Sequence, residues 1–151
     1  MHLEKIEKSD FAEILSMIRE EFPSASVDLS FLEARLSERN VFLLKFSRGE
    51  KIAGFIDLEV SEEGFGRIAV LLVRREFRGQ DVGKEILKEA IAFLKAKAVE
   101  RVSVLVRGKN LKAKKLYSRA GFRFVALYES SEGTIEEMEL ELDESVPSYV
   151  S

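Results

Sequence analysis

The sequence predicts a single α/β (α+β) domain built on a mixed, mostly antiparallel sheet with about four helices around it. Three observations carry that expectation. Two helical segments open the chain, and three short apolar strands joined by tight turns follow. After Arg74 the pattern changes to loop, long helix, strand, helix and a last hairpin. A chain of 151 residues is of one-domain size, and residues 1–151 carry no linker or internal repeat, only a polar tail at about 143–151.

Each element follows from local chemistry. Asp10-Phe11-Ala12-Glu13 has the form of a capping box, and Phe11, Ile14, Leu15, Ile18 and Phe22 recur at helical spacing until Pro23 stops the run. Residues about 28–39 read as a shorter helix with Leu29, Leu32 and Leu36 in line. Val41–Ser47, Ile52–Val60 and Gly66–Val73 read as strands, separated by turns at Arg48-Gly49-Glu50 and Ser61-Glu62-Glu63-Gly64. The long helix carries the stripe Val82, Ile86, Leu87, Ala90, Phe93 and Leu94. Val102–Val106 is a strand and Asn110–Ala120 a helix, with Gly121 where a C-terminal cap belongs. Phe122–Tyr128 and Thr134–Leu142 alternate as a final hairpin.

Composition excludes several chemistries. The chain has no cysteine and one histidine, His2, beside the initiator methionine. A disulfide framework, a cysteine-rich zinc site and a cysteine nucleophile are ruled out, and a serine–histidine–aspartate triad would need a terminal residue. No metal site is expected. No apolar run approaches the roughly 18–20 residues of a membrane span, so the chain reads as a cytoplasmic protein with no membrane partner.

The net charge of −3 hides a strong segregation. Residues 1–66 carry a net −6 and residues 67–88 a net +3, while residues 101–123 carry +8 and residues 124–151 carry −8. A basic middle between acidic ends suggests an anionic ligand held centrally, the alternative being a solvated helix face made by Lys109, Lys112, Lys114, Lys115 and Arg119. The loop Phe77–Gly83 opens the long helix and would present free backbone N–H groups at the positive end of the helix dipole. Gly79 and Gly83 permit close backbone approach, while Arg78 and Lys84 add charge. It is not a P-loop, because Glu85 follows Lys84, and it lacks the three glycines of a dinucleotide fingerprint.

Two motifs at this spacing resemble the GNAT superfamily of N-acetyltransferases. Arg78-Gly79-Gln80-Asp81-Val82-Gly83 occupies the place of its Arg/Gln-x-x-Gly-x-Gly/Ala loop. Downstream, Asn110-Leu111-Lys112-Ala113-Lys114-Lys115-Leu116-Tyr117, followed by Gly121-Phe122, matches the Asn…Ala…Leu-Tyr…Gly-Phe pattern. The order of elements agrees over nearly the whole chain. The resemblance implies a GNAT-like sheet, acetyl-CoA as cosubstrate, and direct attack of a primary amine through a tetrahedral intermediate. Backbone amides across Gln80, Asp81, Val82, Gly83 and Lys84 would hold the CoA diphosphate. Leu71 and Val73 would pair with the pantetheine arm as an added strand, one of their amides polarising the thioester carbonyl. Asn110 would bond the cofactor arm or nearby backbone, and Tyr117 would protonate the departing thiolate. On local grounds alone, Asn110 could equally be a helix N-cap and Tyr117 a core aromatic.

The resemblance has two departures. Asp81 stands where the family often has glycine; aspartate tolerates left-handed backbone and could cap the helix, and its side chain is expected to turn away, with CoA binding kept but weakened. Strand Gly66–Val73 holds no carboxylate, so Glu59, with Asp57 behind it on the same face, is the candidate general base, a water chain being the alternative. Glu20, Glu21, Asp28, Glu129, Glu132, Glu136 and Glu137 fall in segments that shape the acceptor mouth in this family, which points to a cationic amine. Protein N-terminal acetyltransferases of the family often carry Leu-Glu-Val-Arg before the asparagine, whereas Val104-Leu105-Val106-Arg107 stands here. The competing expectations are an acyl-CoA-binding module without turnover and, against the acidic C-terminal segment, a nucleic-acid contact. A homodimer stays open.

Overall fold

The computed structural model describes residues 3–142; His2 and the polar tail at 143–151 lie outside the described residues. Seven strands form one sheet: β1 (Leu3–Lys5), β2 (Val41–Arg48), β3 (Lys51–Val60), β4 (Phe65–Val73), β5 (Arg101–Arg107), β6 (Arg123–Ser130) and β7 (Gly133–Glu141). Their order is β1-β2-β3-β4-β5-β7-β6, with the β4–β5 pair parallel and every other pair antiparallel. Four α-helices accompany it: α1 (Phe11–Glu21), α2 (Leu29–Ser37), α3 (Val82–Ala96) and α4 (Leu111–Arg119). The predicted fold class is the observed one.

The central strands are buried on both faces, which makes β3 a continuous apolar run from Ile52 to Ile56 and on to Leu58, interrupted by Asp57. Side chains divide between two cores, the alternation slipping once at Ala53, which the β2–β3 register skips. Leu43, Ile52, Phe55 and Leu72 pack with Phe11, Ile14, Leu15 and Ile18 of α1. Leu44, Ile56, Leu58 and Ile68 pack with Val82, Ile86, Leu87 and Leu94 of α3. Gly54 sets the approach of α3: a Cβ there would lie 2.7 Å from Ile86 Cδ1 and 2.8 Å from the Leu72 carbonyl oxygen.

Two local expectations are corrected. Asp10 and Glu13 do not form a capping box on α1. Asp10 instead accepts hydrogen bonds from the Glu7 N–H and from Lys45 Nζ, each at 2.8 Å, while Glu13 accepts from the Ile52 N–H and pairs with Arg74. Asp10 closes a capping box with Glu7 one turn earlier, on the 3-10 turn Lys8–Asp10, and Glu13 is taken by tertiary partners. The second correction is β1, a three-residue strand too short to show a period, which pairs Leu3 with Phe46 on the sheet edge.

Candidate active site

The parallel pairing of β4 with β5 is short. It runs from Phe65 opposite Arg101 to Ile68 opposite Val104 and stops there. Beyond it β4 keeps its other neighbour, β3, as far as Val73, and β5 keeps β7 as far as Arg107. The two strands therefore part over Ala69–Val73. The parting coincides with a bulge: Ile68 faces Leu58 and Val70 faces Asp57, which leaves Ala69 without a partner.

The ladder fixes which backbone groups face that cleft. Arg74 N–H donates to Ala53 O at 2.8 Å, toward β3. Alternation along an antiparallel pair then turns the N–H and C=O of Val73 and Leu71 the other way, into the opening. The Val73 carbonyl agrees, since it accepts from the Arg78 side chain rather than from β3.

The loop after β4 brings the next element to the cleft. A 3-10 turn at Arg75–Phe77 leads to Gly79 with φ 77°, then to Asp81 with φ 61° and ψ 18°, and α3 starts at Val82. Asp81 adopts the left-handed conformation expected of it, but its side chain makes no capping hydrogen bond, so that expectation is corrected. The first intrahelical acceptor serves Glu85, whose N–H reaches Asp81 O at 3.0 Å. The N–H groups of Val82, Gly83 and Lys84 are left pointing out of the helix end, the arrangement that binds a phosphate. Gln80 turns its side chain back onto Glu76 O at 3.2 Å, and Lys84 is exposed with no ion pair among the described residues.

Gly83 is the junction. A Cβ on it would lie 3.5 Å from Val73 Cγ2 and 3.7 Å from Leu116 Cδ2. The end of β4, the start of α3 and the body of α4 thus meet at one residue. Tyr117, next to Leu116, has a buried ring packed edge-on to Phe122. Burial raises its phenol well above the ordinary tyrosine value. The hydroxyl has no hydrogen-bond partner among the described residues, yet no polar side-chain atom there is both wholly buried and unpartnered. The hydroxyl is therefore the part of Tyr117 that meets solvent. Asn110 is the N-cap of α4, its Oδ1 accepting from Ala113 N–H at 3.0 Å, with the amide nitrogen uncommitted among the described residues.

The carboxylates of β3 lie elsewhere and are clasped. Asp57 and Glu59 do share a face, toward α2, where Arg35 holds both: Nε and Nη2 reach Asp57 at 3.0 and 2.5 Å, and Nη1 reaches Glu59 at 2.7 Å. Arg67 adds a bond to Glu59 at 2.9 Å. The hydrogen bond from Arg67, joined by Arg35, holds the Glu59 carboxyl below its usual range, which makes it a poor proton acceptor. Burial pushes Asp57 up, with Arg35 opposing it. No local signal marks Arg35, which lies 22 residues from Asp57 in sequence.

The charge segregation is in part internal pairing, while Lys109, Lys112, Lys115, Arg119 and Arg123 carry no ion pair among the described residues. Arg101 faces Glu139 and Glu141, Arg107 pairs with Glu132, and Lys114 pairs with Glu136, because the topology sets the basic and acidic segments side by side. The acceptor-mouth carboxylates are similarly engaged. Glu20 pairs with Arg75, Glu21 with Arg78, Asp28 caps α2 and Glu137 accepts from the Tyr128 hydroxyl; of the seven, Glu129 alone has no partner among the described residues.

A sequence model of the acetyltransferase (GNAT) family matches residues 4–122. A mycothiol acetyltransferase of Beutenbergia cavernae is 35% identical over 71 residues, covering 47% of this chain and 24% of that protein. A chloroplastic GCN5-related N-acetyltransferase 6 of Arabidopsis thaliana is 32% identical over 80 residues, covering 51% and 28%. The chain thus matches only about a quarter of either relative's length. Among solved structures, the ribosomal-protein-S18-alanine N-acetyltransferase of Escherichia coli superposes with a TM-score of 0.82 at 16% identity, over 97% of this chain and 96% of that one. The ribosomal-protein-alanine N-acetyltransferase of Brucella melitensis gives 0.83 at 16%, over 94% and 100%. At these identities the likeness is one of fold.

Proposed function

Because this chain belongs to the GNAT acetyltransferase family, we propose that it transfers an acetyl group from acetyl-CoA to a primary amine by direct attack. The observation that carries this is the β4–β5 cleft, whose backbone edge at Leu71 and Val73, paired with no strand and met at Val73 O only by the Arg78 side chain, ends against the uncapped start of α3. An extended amide-bearing arm suits the first and a diphosphate the second.

Acetyl-CoA supplies a thioester already activated toward an amine. Leu71 N–H, turned into the cleft, donates to the carbonyl oxygen where negative charge develops during attack. The Gln80–Lys84 amides hold the diphosphate, with Lys84 free to add charge. Asn110 offers its uncommitted amide nitrogen to the arm while its oxygen keeps the cap on α4. Tyr117 donates the proton that the departing thiolate needs, its phenol kept neutral by burial. Glu59 and Asp57 are assigned to holding α2 on the sheet, and the amine loses its proton to water. The engaged mouth carboxylates give no particular support to a strongly cationic acceptor. Leu105, in the place where the protein N-terminal enzymes often carry glutamate, argues for a different amine.

The chain's lack of cysteine makes the test clean, since a thiol reagent reads only released CoA. Incubated with acetyl-CoA and a panel of amines, the protein should release thiol only when a productive amine is present. Release that ignores every amine, or CoA binding with no release across the panel, would overturn transfer; the second result would leave the non-catalytic acyl-CoA module.

A further inference from the structure

Arg74, Arg75 and Arg78 all lie between β4 and α3, and each is tied to a glutamate of α1. Arg74 pairs with Glu13 and donates to Ile52 O at 2.8 Å; Arg75 pairs with Glu20 at 3.5 Å. Neither touches the open edge of β4. Arg78 does. Its Nε donates to Val73 O at 3.1 Å, and its Nη2 reaches Glu21, the last residue of α1, at 2.5 Å. One guanidinium thus links the carboxylate that ends α1 to a carbonyl of the cleft.

We propose that Glu21 and Arg78 form a latch on the cofactor cleft: Glu21 parks the Arg78 guanidinium on the Val73 carbonyl, and acyl-CoA binds by drawing it away. The latch rests on the acetyltransferase function proposed above. Two features make the exchange feasible. Gly79, the next residue, has φ 77° and open space where a Cβ would be, so the chain beside Arg78 can turn. The guanidinium fork also matches a diphosphate, which carries more charge than one carboxylate. Glu21 then acts as a positioning residue, setting how much of the Arg78 charge is available to the ligand. It also joins the end of α1, and the segment toward α2, to the occupancy of the cleft.

A mutant cycle read by calorimetric CoA affinity tests the latch. Removing the hold with Glu21→Gln should raise CoA affinity roughly fivefold, the scale of one partly exposed ion pair. In an Arg78→Ala background the same change should move affinity less than about twofold, because the group it releases is gone. Glu20→Gln removes an equal charge one residue away from a pair that does not reach Val73, and should also stay below about twofold. Equal gains in both backgrounds, an equal gain from Glu20→Gln, or no gain from Glu21→Gln would overturn the latch while leaving the acetyltransferase function standing. If CoA binds to no variant, the wild type included, both fall.

Discussion

Phe122 N–H donates to the Tyr117 carbonyl at 3.0 Å, and the two rings meet edge-on with centroids 5.2 Å apart. With Gly121 N–H on Ser118 O and Gly121 at φ 102°, this is a Schellman ending of α4, complete with its hydrophobic contact. The Leu-Tyr…Gly-Phe spacing therefore has a physical content: the helix stop and the seating of the tyrosine ring are one structure. Gly121→Ala would force an L side chain into left-handed backbone, with its Cβ 3.2 Å from Leu140 Cδ1. It should cost about 1–2 kcal/mol in urea unfolding and lower turnover by unseating Tyr117. Unchanged stability would show that the cap is not under this constraint.

Arg35 is the partner of a buried carboxylate, Asp57, which is 4% exposed. Arg35→Leu removes the charge but leaves the carboxylate in place, so chemical denaturation should show a loss of about 3–5 kcal/mol. Adding Asp57→Asn should recover part of that loss, since the uncompensated charge is what costs most. No recovery would mean that packing of the arginine stem, rather than the ion pair, holds α2.

Glu59 gives stability an acid limb. Its carboxyl is held below the ordinary 4.5 by Arg67 and Arg35, so its contribution is present above that value and disappears as pH falls through the depressed one. Asp57, raised by burial, slopes the other way and faces the same arginines. The difference between wild type and Glu59→Gln isolates the first. The gap in unfolding free energy should be constant above about pH 5 and narrow below it. Turnover in Glu59→Gln should keep the wild-type pH profile, and loss of the acid limb, where a base is silenced by taking up its proton, would restore Glu59 as the general base.

Asp81 holds a conformation that suits glycine, and its carboxylate lies on the residue before the free amides of α3. Asp81→Gly relieves the left-handed backbone but frees the unfolded chain, so stability should move by less than about 1 kcal/mol. CoA affinity should rise, because a negative group beside the proposed diphosphate site is removed. Unchanged or weaker binding would show that the Asp81 side chain is a constructive part of the loop.

Much of this is legible in the sequence, and what is not shares a cause. Helix stripes, hairpin turns, the left-handed Asp81 and the Gly121 stop are local, so sequence spacing reveals them. The cleft itself depends on Ala69, a residue with no turn signal, bulging where β4 loses β5. Arg35 and Arg78 act across 22 and 57 residues, and charged side chains choose such partners only once the sheet is assembled. The segregation of charge is visible in the sequence, but the pairing of Arg101, Arg107 and Lys114 across β5, β7 and α4 needs the topology.

The phenol of Tyr117 is raised above the ordinary value of 10.0 by burial alone. The sign is that of a group favoured in its protonated form when folded. Its stabilising effect is whole below pH 10 and is lost as pH rises toward the folded value. For the acid role proposed for Tyr117 the same shift means protonation at every working pH, so no alkaline fall in kcat below about pH 10 should come from it. Tyr117→Phe keeps the ring against Phe122 and removes only a hydroxyl without a protein partner, so unfolding should change by no more than about 0.5 kcal/mol. Turnover should drop about a hundredfold, with KM for acetyl-CoA nearly unchanged, as expected of a group that acts only on the leaving thiolate. With 4-nitrothiophenyl acetate, whose leaving group needs no proton at neutral pH, the ratio of wild-type to variant turnover should close toward one. A stable variant with full turnover on acetyl-CoA would remove Tyr117 from the chemistry and leave its ring to the Schellman contact.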